Sequence, residues 1–181
     1  MSDNLYEVLQ ARALKLEPAV LVSCNEKTEK FGLALTEDEA ARLVVCRNQT
    51  LKKYQRVELG KGILDKLIFT FCDSQYINQS TYLETLEQLQ NIFYEFKNEC
   101  EDEITDEELL HFMREQFDHI CFGSTEYLES TCLPRFAAAI RAGYRDFHNS
   151  DGYRQYTRFG EEQRWDKQLY FDALNTLNGD N

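Results

Sequence analysis

The amino-acid sequence predicts a mainly α protein, a helical bundle of six or seven helices with a small N-terminal β-hairpin. Three observations indicate this fold class. Apolar residues recur at helical spacing along most of the chain, three Thr-x-x-Glu strings are typical of helix starts, and two short apolar runs flank a polar stretch near the N-terminus. With 181 residues, of which 43% are hydrophobic, the chain is expected to form a single domain over 1–181.

The first part of this domain, about 1–35, is predicted to contain a helix and the hairpin. The helix covers about 3–16 and ends before Pro18, because the residue that precedes a proline is pushed out of the α region. The hairpin would pair 19–24 with 30–35 across a polar five-residue loop. Because two isolated strands are only marginally stable in water, we expect this hairpin to pack on helices.

The helical body, about 36–150, is organised by three capping signatures. In each, the Thr hydroxyl can accept a hydrogen bond from a first-turn N–H while the Glu reaches back to the N–H of the Thr. These strings are Thr36-x-x-Glu39, Thr81-x-x-Glu84 and Thr105-x-x-Glu108, and they predict helices over about 37–55, 82–98 and 106–121. A further helix over about 63–73 follows Gly62. On the 82–98 helix, Tyr94 and Lys97 are expected to reach the surface.

Two more helices are predicted downstream. Gly123-Ser124 starts one that Pro134 interrupts or restarts, because proline is tolerated in the first turn of a helix and not later. Its apolar stripe continues to about His148 and ends at the turn signal Asn149-Ser-Asp-Gly152. The C-terminal helix is expected over about 161–177.

Cysteine spacing and the N-terminal sequence bear on the cellular compartment. The six cysteines are widely and unevenly spaced without a Cys-x-x-Cys pair, which favours reduced and mostly buried thiols. The N-terminus lacks the features of a signal peptide, and no run of about 18 apolar residues occurs. We therefore expect a cytoplasmic protein that does not contact membranes, and no cofactor is predicted.

One stretch is strongly acidic. Seven of the ten side chains in the acidic run, residues 99–108, are Asp or Glu, in a chain whose net charge is −12. The first turn of the helix that follows Thr105 accommodates the last three of these acids, because negative charge is favourable near helix N–H groups. The earlier acids lie at the end of the preceding helix, where the same dipole disfavours them. These earlier acids predict a surface that binds a protein partner. The surface is formed by Glu99, Glu101, Asp102 and Glu103. A second copy of this chain is one candidate for the partner.

A metal site is the alternative interpretation of the helix that follows. Imidazole and carboxylate groups at spacings of three and four residues lie on successive turns, and this ligand combination suits zinc, iron or manganese. The residues are Glu108, His111, Glu115 and His119. The helical register places the first histidine nearly opposite the apolar face, so a solvated polar face is the preferred interpretation. A metal-binding protein or metal-dependent enzyme is the alternative.

A basic segment supports a second alternative, a regulator linked to nucleic acid. Residues 42–66 carry seven Lys or Arg against two acids. The net negative charge of the whole chain opposes phosphate binding, so nucleic acid is not an expected partner. No nucleophile motif, phosphate-binding loop or cysteine-pair metal motif is present. The leading prediction is a non-enzymatic protein-interaction or regulatory protein.

Several strings between about 20 and 135 resemble an uncharacterised family of small proteins from anaerobic Firmicutes. They are Asn25 with Phe31-Gly-Leu33, Arg56-Val-Glu-Leu-Gly60, Phe71-Cys-Asp-Ser74, Phe93-Tyr94 with Phe96-Lys-Asn98, and Gly123-Ser124. The resemblance implies a bacterial, cytosolic setting and a co-encoded partner. It supplies no activity, ligand or catalytic residue.

Overall fold

A computed structural model describes residues 4–5, 7–9, 16–58 and 62–143. The chain divides into two compact units, residues 1–94 and 95–181. The predicted mainly α fold is confirmed. The single domain over 1–181 stays a prediction. Within the predicted N-terminal helix, residues 4–5 and 7–9 are helical and Leu16 is not, whereas the predicted C-terminal helix lies outside the described part of the chain.

The first unit is built from short helices followed by longer ones. They are α1 (Pro18–Val22), α2 (Asn25–Thr28), a 3-10 turn (Glu29–Phe31), α3 (Glu37–Lys53), α4 (Leu64–Phe71), a second 3-10 turn (Gln79–Thr81) and α5 (Tyr82–Glu99), which continues into the second unit. Apolar side chains at helical spacing, among them Leu43, Phe71, Leu86 and Phe93, are fully or almost fully buried. The predicted bounds of the three longer helices agree with these within about two residues.

The predicted β-hairpin is wrong. The stretch expected to form its first strand is largely helical, because Pro18 occupies the first position of α1, where the missing N–H costs nothing. The stretch expected to form the second strand begins in the 3-10 turn and is irregular after Gly32, whose φ is +76°. No strand occurs among the residues that the structure describes.

Side-chain amides replace the missing strand partner. The Asn25 amide accepts from the N–H of Leu35 and donates to its carbonyl, both at 2.8 Å. On the neighbouring residue, Gln79 accepts from the N–H of Ala34 at 2.8 Å and donates to its carbonyl at 2.9 Å. These two amides satisfy the backbone groups that a second strand would otherwise have to pair. We call them the amide clamp.

Two of the three capping signatures are complete capping boxes. Thr36 accepts from the Glu39 N–H at 3.2 Å, and the Glu39 carboxylate accepts from the Thr36 N–H at 2.8 Å. Thr105 and Glu108 repeat this arrangement at the start of the first helix of the second unit. At the third signature, α5 begins at Tyr82 as predicted, after a 3-10 turn. Local sequence therefore sets these helix starts.

A buried ion pair in the first unit joins α3 to the segment that follows it. Arg47 is only 3% exposed, and its Nε lies 3.2 Å from Glu58 Oε2. The other oxygen of Glu58 accepts from the Tyr94 hydroxyl at 2.5 Å. Gly62 covers this carboxylate with a φ of +58°, and a Cβ added there would lie 1.7 Å from Glu58 Oε2. The expectation that Tyr94 reaches the surface is therefore wrong.

The second unit contains the end of α5, α6 (Asp106–His119), α7 (Thr125–Tyr127), a π-helical turn (Leu128–Cys132) and α8 (Leu133–Arg141). Ser124 caps α7 by accepting from the Tyr127 N–H at 3.1 Å, which confirms the predicted helix start. Pro134 lies in the first turn of α8, directly after the π turn. The Phe112 and Phe136 rings stack at 3.9 Å and join α6 to α8.

Gly62→Ala is expected to destabilise the protein more than Gly32→Ala. Both glycines have positive φ, which costs an alanine about 1 kcal/mol. Only at Gly62 would the new Cβ displace the Glu58 carboxylate from Arg47 and Tyr94, whereas nothing lies within 4 Å at Gly32. Urea unfolding of the two variants should differ by about 2 kcal/mol or more. Equal free energies of unfolding would show that the ion pair contributes no stability.

The Tyr94→Phe variant is expected to lose less stability than the wild type at high pH. Burial, followed by the nearby Glu58 carboxylate, raises the pKa of Tyr94 in the folded protein. The unfolded chain releases this proton above pH about 10 while the folded chain keeps it, so the stability it contributes is present below that pH and is lost above it.

Between pH 10 and 12 the free energy of unfolding should therefore fall less steeply with pH in Tyr94→Phe than in the wild type. The two slopes should differ by about 1.4 kcal/mol per pH unit. Tyr82→Phe should show a similar change, because burial also raises the pKa of Tyr82. If the free energy of unfolding fell equally steeply in wild type and Tyr94→Phe between pH 10 and 12, the prediction would be contradicted.

Candidate interaction site

The acidic run connects α5 to α6 and begins with a Schellman-type helix end. The Asp102 N–H donates to the Lys97 carbonyl at 3.2 Å, and the Glu101 N–H donates to the Asn98 carbonyl at 2.8 Å. Glu101 occupies the left-handed position of this motif with a φ of +54°, where glycine is the usual residue. Asp102 follows with a φ of +57°. Two successive side-chain-bearing residues thus hold a conformation that L residues avoid.

One buried lysine holds this connection in place. The Lys97 ammonium donates to the carbonyl of Ile104 and lies 2.9 Å from Asp106 Oδ1. The residue is only 7% exposed, so the expectation that it reaches the surface is wrong. An ammonium group that leaves water needs both a counter-charge and hydrogen-bond acceptors, and the connection supplies both. The backbone between α5 and α6 is therefore tied to α5 by a charged group.

Two buried residues also anchor the connection between α5 and α6. Cys100 and Ile104 are buried at 0% and 2% exposure. Burial raises the pKa of Cys100 to about 11, so this thiol is neutral at pH 7 and packs as a small apolar group. Between these two positions, Glu101, Asp102 and Glu103 are all exposed. The connection therefore presents three consecutive carboxylates on a backbone that is fixed at both ends.

Glu99, the fourth residue predicted to bind a partner, lies in a different environment. Its carboxylate is 2.9 Å from Arg141 Nη1, which also donates to the Glu99 carbonyl at 2.7 Å. Arg141 thus compensates the unfavourable position of this acid at the C-terminal end of α5, which the sequence left unexplained. The structure therefore groups Glu101, Asp102 and Glu103 and ties Glu99 to α8.

The residues of the predicted metal site are not assembled into a cluster. Glu108 turns back to Thr105 in the capping box, at 2.9 Å from the Thr105 N–H. Glu115 and His119 form a pair at 3.5 Å on the surface of α6, and His111 is exposed. Among the described residues, no three Asp, Glu, His or Cys side chains are arranged to hold a metal ion.

Four of the described cations of the basic segment lie in different environments. Arg47 is buried against Glu58, and Arg42 lies 3.4 Å from Glu87 of α5. Lys52 and Lys53 are exposed at the end of α3, where positive charge interacts favourably with the helix dipole. At least four of the seven cations thus have roles within the first unit.

Sequence reasoning missed Lys97 and Arg141, although the sequence carried a signal for one of them. Lys97 lies four residues after Phe93 and three before Cys100, which places it on the apolar face of α5. A lysine on such a face must either extend to water or find a buried acceptor. Nothing local marks Arg141, whose partner is 42 residues away.

Lys97→Met is expected to loosen the acidic run. The variant keeps the side-chain length but leaves the Ile104 carbonyl without its donor and Asp106 without its cation. The free energy of unfolding should fall by about 2 kcal/mol, and amide hydrogen exchange should accelerate around Glu101–Glu103. Lys52→Met, at an exposed position, is the control and should change stability by less than about 0.5 kcal/mol. Unchanged exchange at Glu101–Glu103 would exclude Lys97 as the anchor.

None of the described helices combines the length and apolar character needed to cross a membrane. Comparison with curated proteins and with solved structures found no match. Comparison with protein families matched residues 20–146 to a family of unknown function, DUF6323. The matched range includes both capping boxes, the buried ion pair and the acidic run, and it confirms the resemblance to an uncharacterised family. The chain therefore belongs to this family of unknown function, DUF6323.

Proposed function

We propose that the protein is a non-enzymatic interaction or regulatory protein that binds a basic segment of a protein partner through Glu101, Asp102 and Glu103. The observation that carries this proposal is that three adjacent exposed carboxylates lie on a backbone with a defined conformation. Their backbone includes two left-handed residues and lies between two buried anchors. Left-handed residues other than glycine cost free energy and are enriched at functional sites.

Fixed geometry matters for binding because ordering a flexible loop opposes association. A loop already held by Lys97 and by the Schellman-type bonds loses little further conformational freedom when a partner binds. Three adjacent carboxylates favour lysine and arginine side chains and attract them over several ångströms. These carboxylates should contribute mainly to the association rate and to the choice of partner. The association rate should depend strongly on salt concentration.

A protein partner fits this surface better than nucleic acid or a metal ion. Nucleic acid would be repelled by three carboxylates, because binding to phosphates depends on cations of the protein. The alternative metal site would need Glu108, which is engaged in the capping box. A second copy of this chain stays a candidate partner through exposed lysines such as Lys52 and Lys53. The cytoplasmic location is part of this proposal.

The test is a comparison of partner capture by matched charge variants. Glu101→Gln, Asp102→Asn and Glu103→Gln combined should abolish capture of proteins that the wild-type chain retains from a lysate of its own source organism. The control variant carries Glu26→Gln, Glu126→Gln and Glu129→Gln, which change the net charge equally at other exposed positions. Captured proteins are quantified by mass spectrometry.

For any protein that passes this comparison, binding to the purified chain should weaken at least tenfold in the acidic-run variant and in about 0.5 M salt. Analytical ultracentrifugation of the chain alone distinguishes self-association from capture of another protein. Equal capture by wild type and both variants, with no salt dependence, would contradict the proposal.

A further inference from the structure

Two thiols of the second unit are in direct contact. The sulfur atoms of Cys121 and Cys132 lie 3.6 Å apart, close enough for one S–H to donate to the other sulfur. The residues are 6% and 7% exposed, so the pair is largely removed from water but lies near the surface. This contact joins the end of α6 to the π-helical turn that precedes α8. The cysteine spacing in the sequence does not predict this contact.

The backbone on both sides of the pair is irregular. Cys121 follows the last residues of α6, and it precedes Phe122 and Gly123, both with positive φ at +48° and +84°. Cys132 is the final residue of the π-helical turn, a feature that is rare and often occurs at functional positions. A disulfide requires the sulfurs to approach to about 2.05 Å. Irregular segments can absorb the shift of about 1.5 Å that this approach requires.

The two thiols differ in acidity. The hydrogen bond from Cys121 lowers the pKa of Cys132, Arg135 lowers it further, and burial opposes both effects. The same hydrogen bond, together with burial, raises the pKa of Cys121. Cys132 is therefore the more acidic of the two thiols and the one that ionises first. Thiolate is the form that reacts with oxidants.

We propose that Cys121 and Cys132 are a redox modification site that forms a reversible intramolecular disulfide when a peroxide oxidises the protein. In the first step the Cys132 thiolate attacks one peroxide oxygen, the O–O bond breaks, and hydroxide leaves with a proton from solvent as water. Cys132 is then a sulfenic acid.

In the second step the sulfur of Cys121 attacks the sulfur of Cys132, the S–O bond breaks, and the hydroxyl group leaves with the Cys121 proton as water. The two thiols together lose two electrons and two protons, and one hydrogen peroxide becomes two waters. A dithiol reductant reverses the bond by thiol–disulfide exchange.

The disulfide would change the segment between the two cysteines. This segment carries Phe122, which is 67% exposed, and Tyr127, which is 45% exposed. Closing residues 121–132 into a ring restricts the backbone that presents these aromatic side chains. Oxidation would therefore fix an exposed apolar surface at the opposite end of α6 from the acidic run.

The first test is peptide mapping of the full chain without reduction. The wild-type protein, treated with about ten equivalents of hydrogen peroxide, should become about 2 Da lighter and yield a linked peptide that contains Cys121 and Cys132. Its melting temperature should rise by roughly 5 °C and return after treatment with dithiothreitol. Retention of both thiols, or linkage of either to another cysteine, would overturn the proposal without any variant.

Three variants test the roles of the two sulfurs. In Cys121→Ser, dimedone should trap a sulfenic acid on Cys132, whereas Cys132→Ser should show little trapping on Cys121. Cys46→Ser is the matched control, because Cys46 is more exposed than either residue and contacts Asn91 rather than a cysteine. It should form the 121–132 disulfide like the wild type. Equal trapping on Cys121 in Cys132→Ser would overturn the assigned order of reaction.

Discussion

Buried cations that must be paired constrain both units of this protein. In the first unit, the Arg47 guanidinium is buried, and Glu58 of the segment after α3 pairs with it. In the second unit, the Lys97 ammonium shapes the connection between α5 and α6. Removing Glu58 would cost about 3 to 5 kcal/mol, because it would leave the Arg47 charge buried without compensation. Residues 54–58 and the connection between α5 and α6, neither of which is helical, thus acquire defined conformations.

Each of the strings that resemble the family contains one polar side chain that holds the backbone in place. Asn25 belongs to the amide clamp, Glu58 to the buried ion pair, and Ser74 is a buried residue whose hydroxyl accepts from the Tyr76 N–H at 3.3 Å. Lys97 holds the acidic run, and Ser124 caps α7. These residues position the backbone where it leaves regular helix. The resemblance therefore rests on residues that define the fold.

The position of the candidate site could be predicted from sequence, but its construction could not. The carboxylates of Glu101, Asp102 and Glu103 stood out because the helix dipole disfavours acids at the end of α5. Their left-handed backbone and the Lys97 anchor follow from packing within the second unit. The Cys121–Cys132 contact likewise depends on how the π-helical turn returns to the end of α6. These cysteines lie eleven positions apart in the sequence, a spacing that does not indicate a contact.

Helical periodicity and capping depend on neighbours within four residues, so local sequence specifies the helical class and the starts of α3, α5 and α6. The conformation of residues 33–36 depends instead on tertiary contacts. There the predicted strand partner is replaced by Asn25 and Gln79, which reach Leu35 and Ala34 across 10 and 45 residues. Tertiary packing also decided that Arg141 compensates Glu99 at the end of α5. A contact between distant residues satisfies a polar group only after the chain has packed, so no local pattern records it.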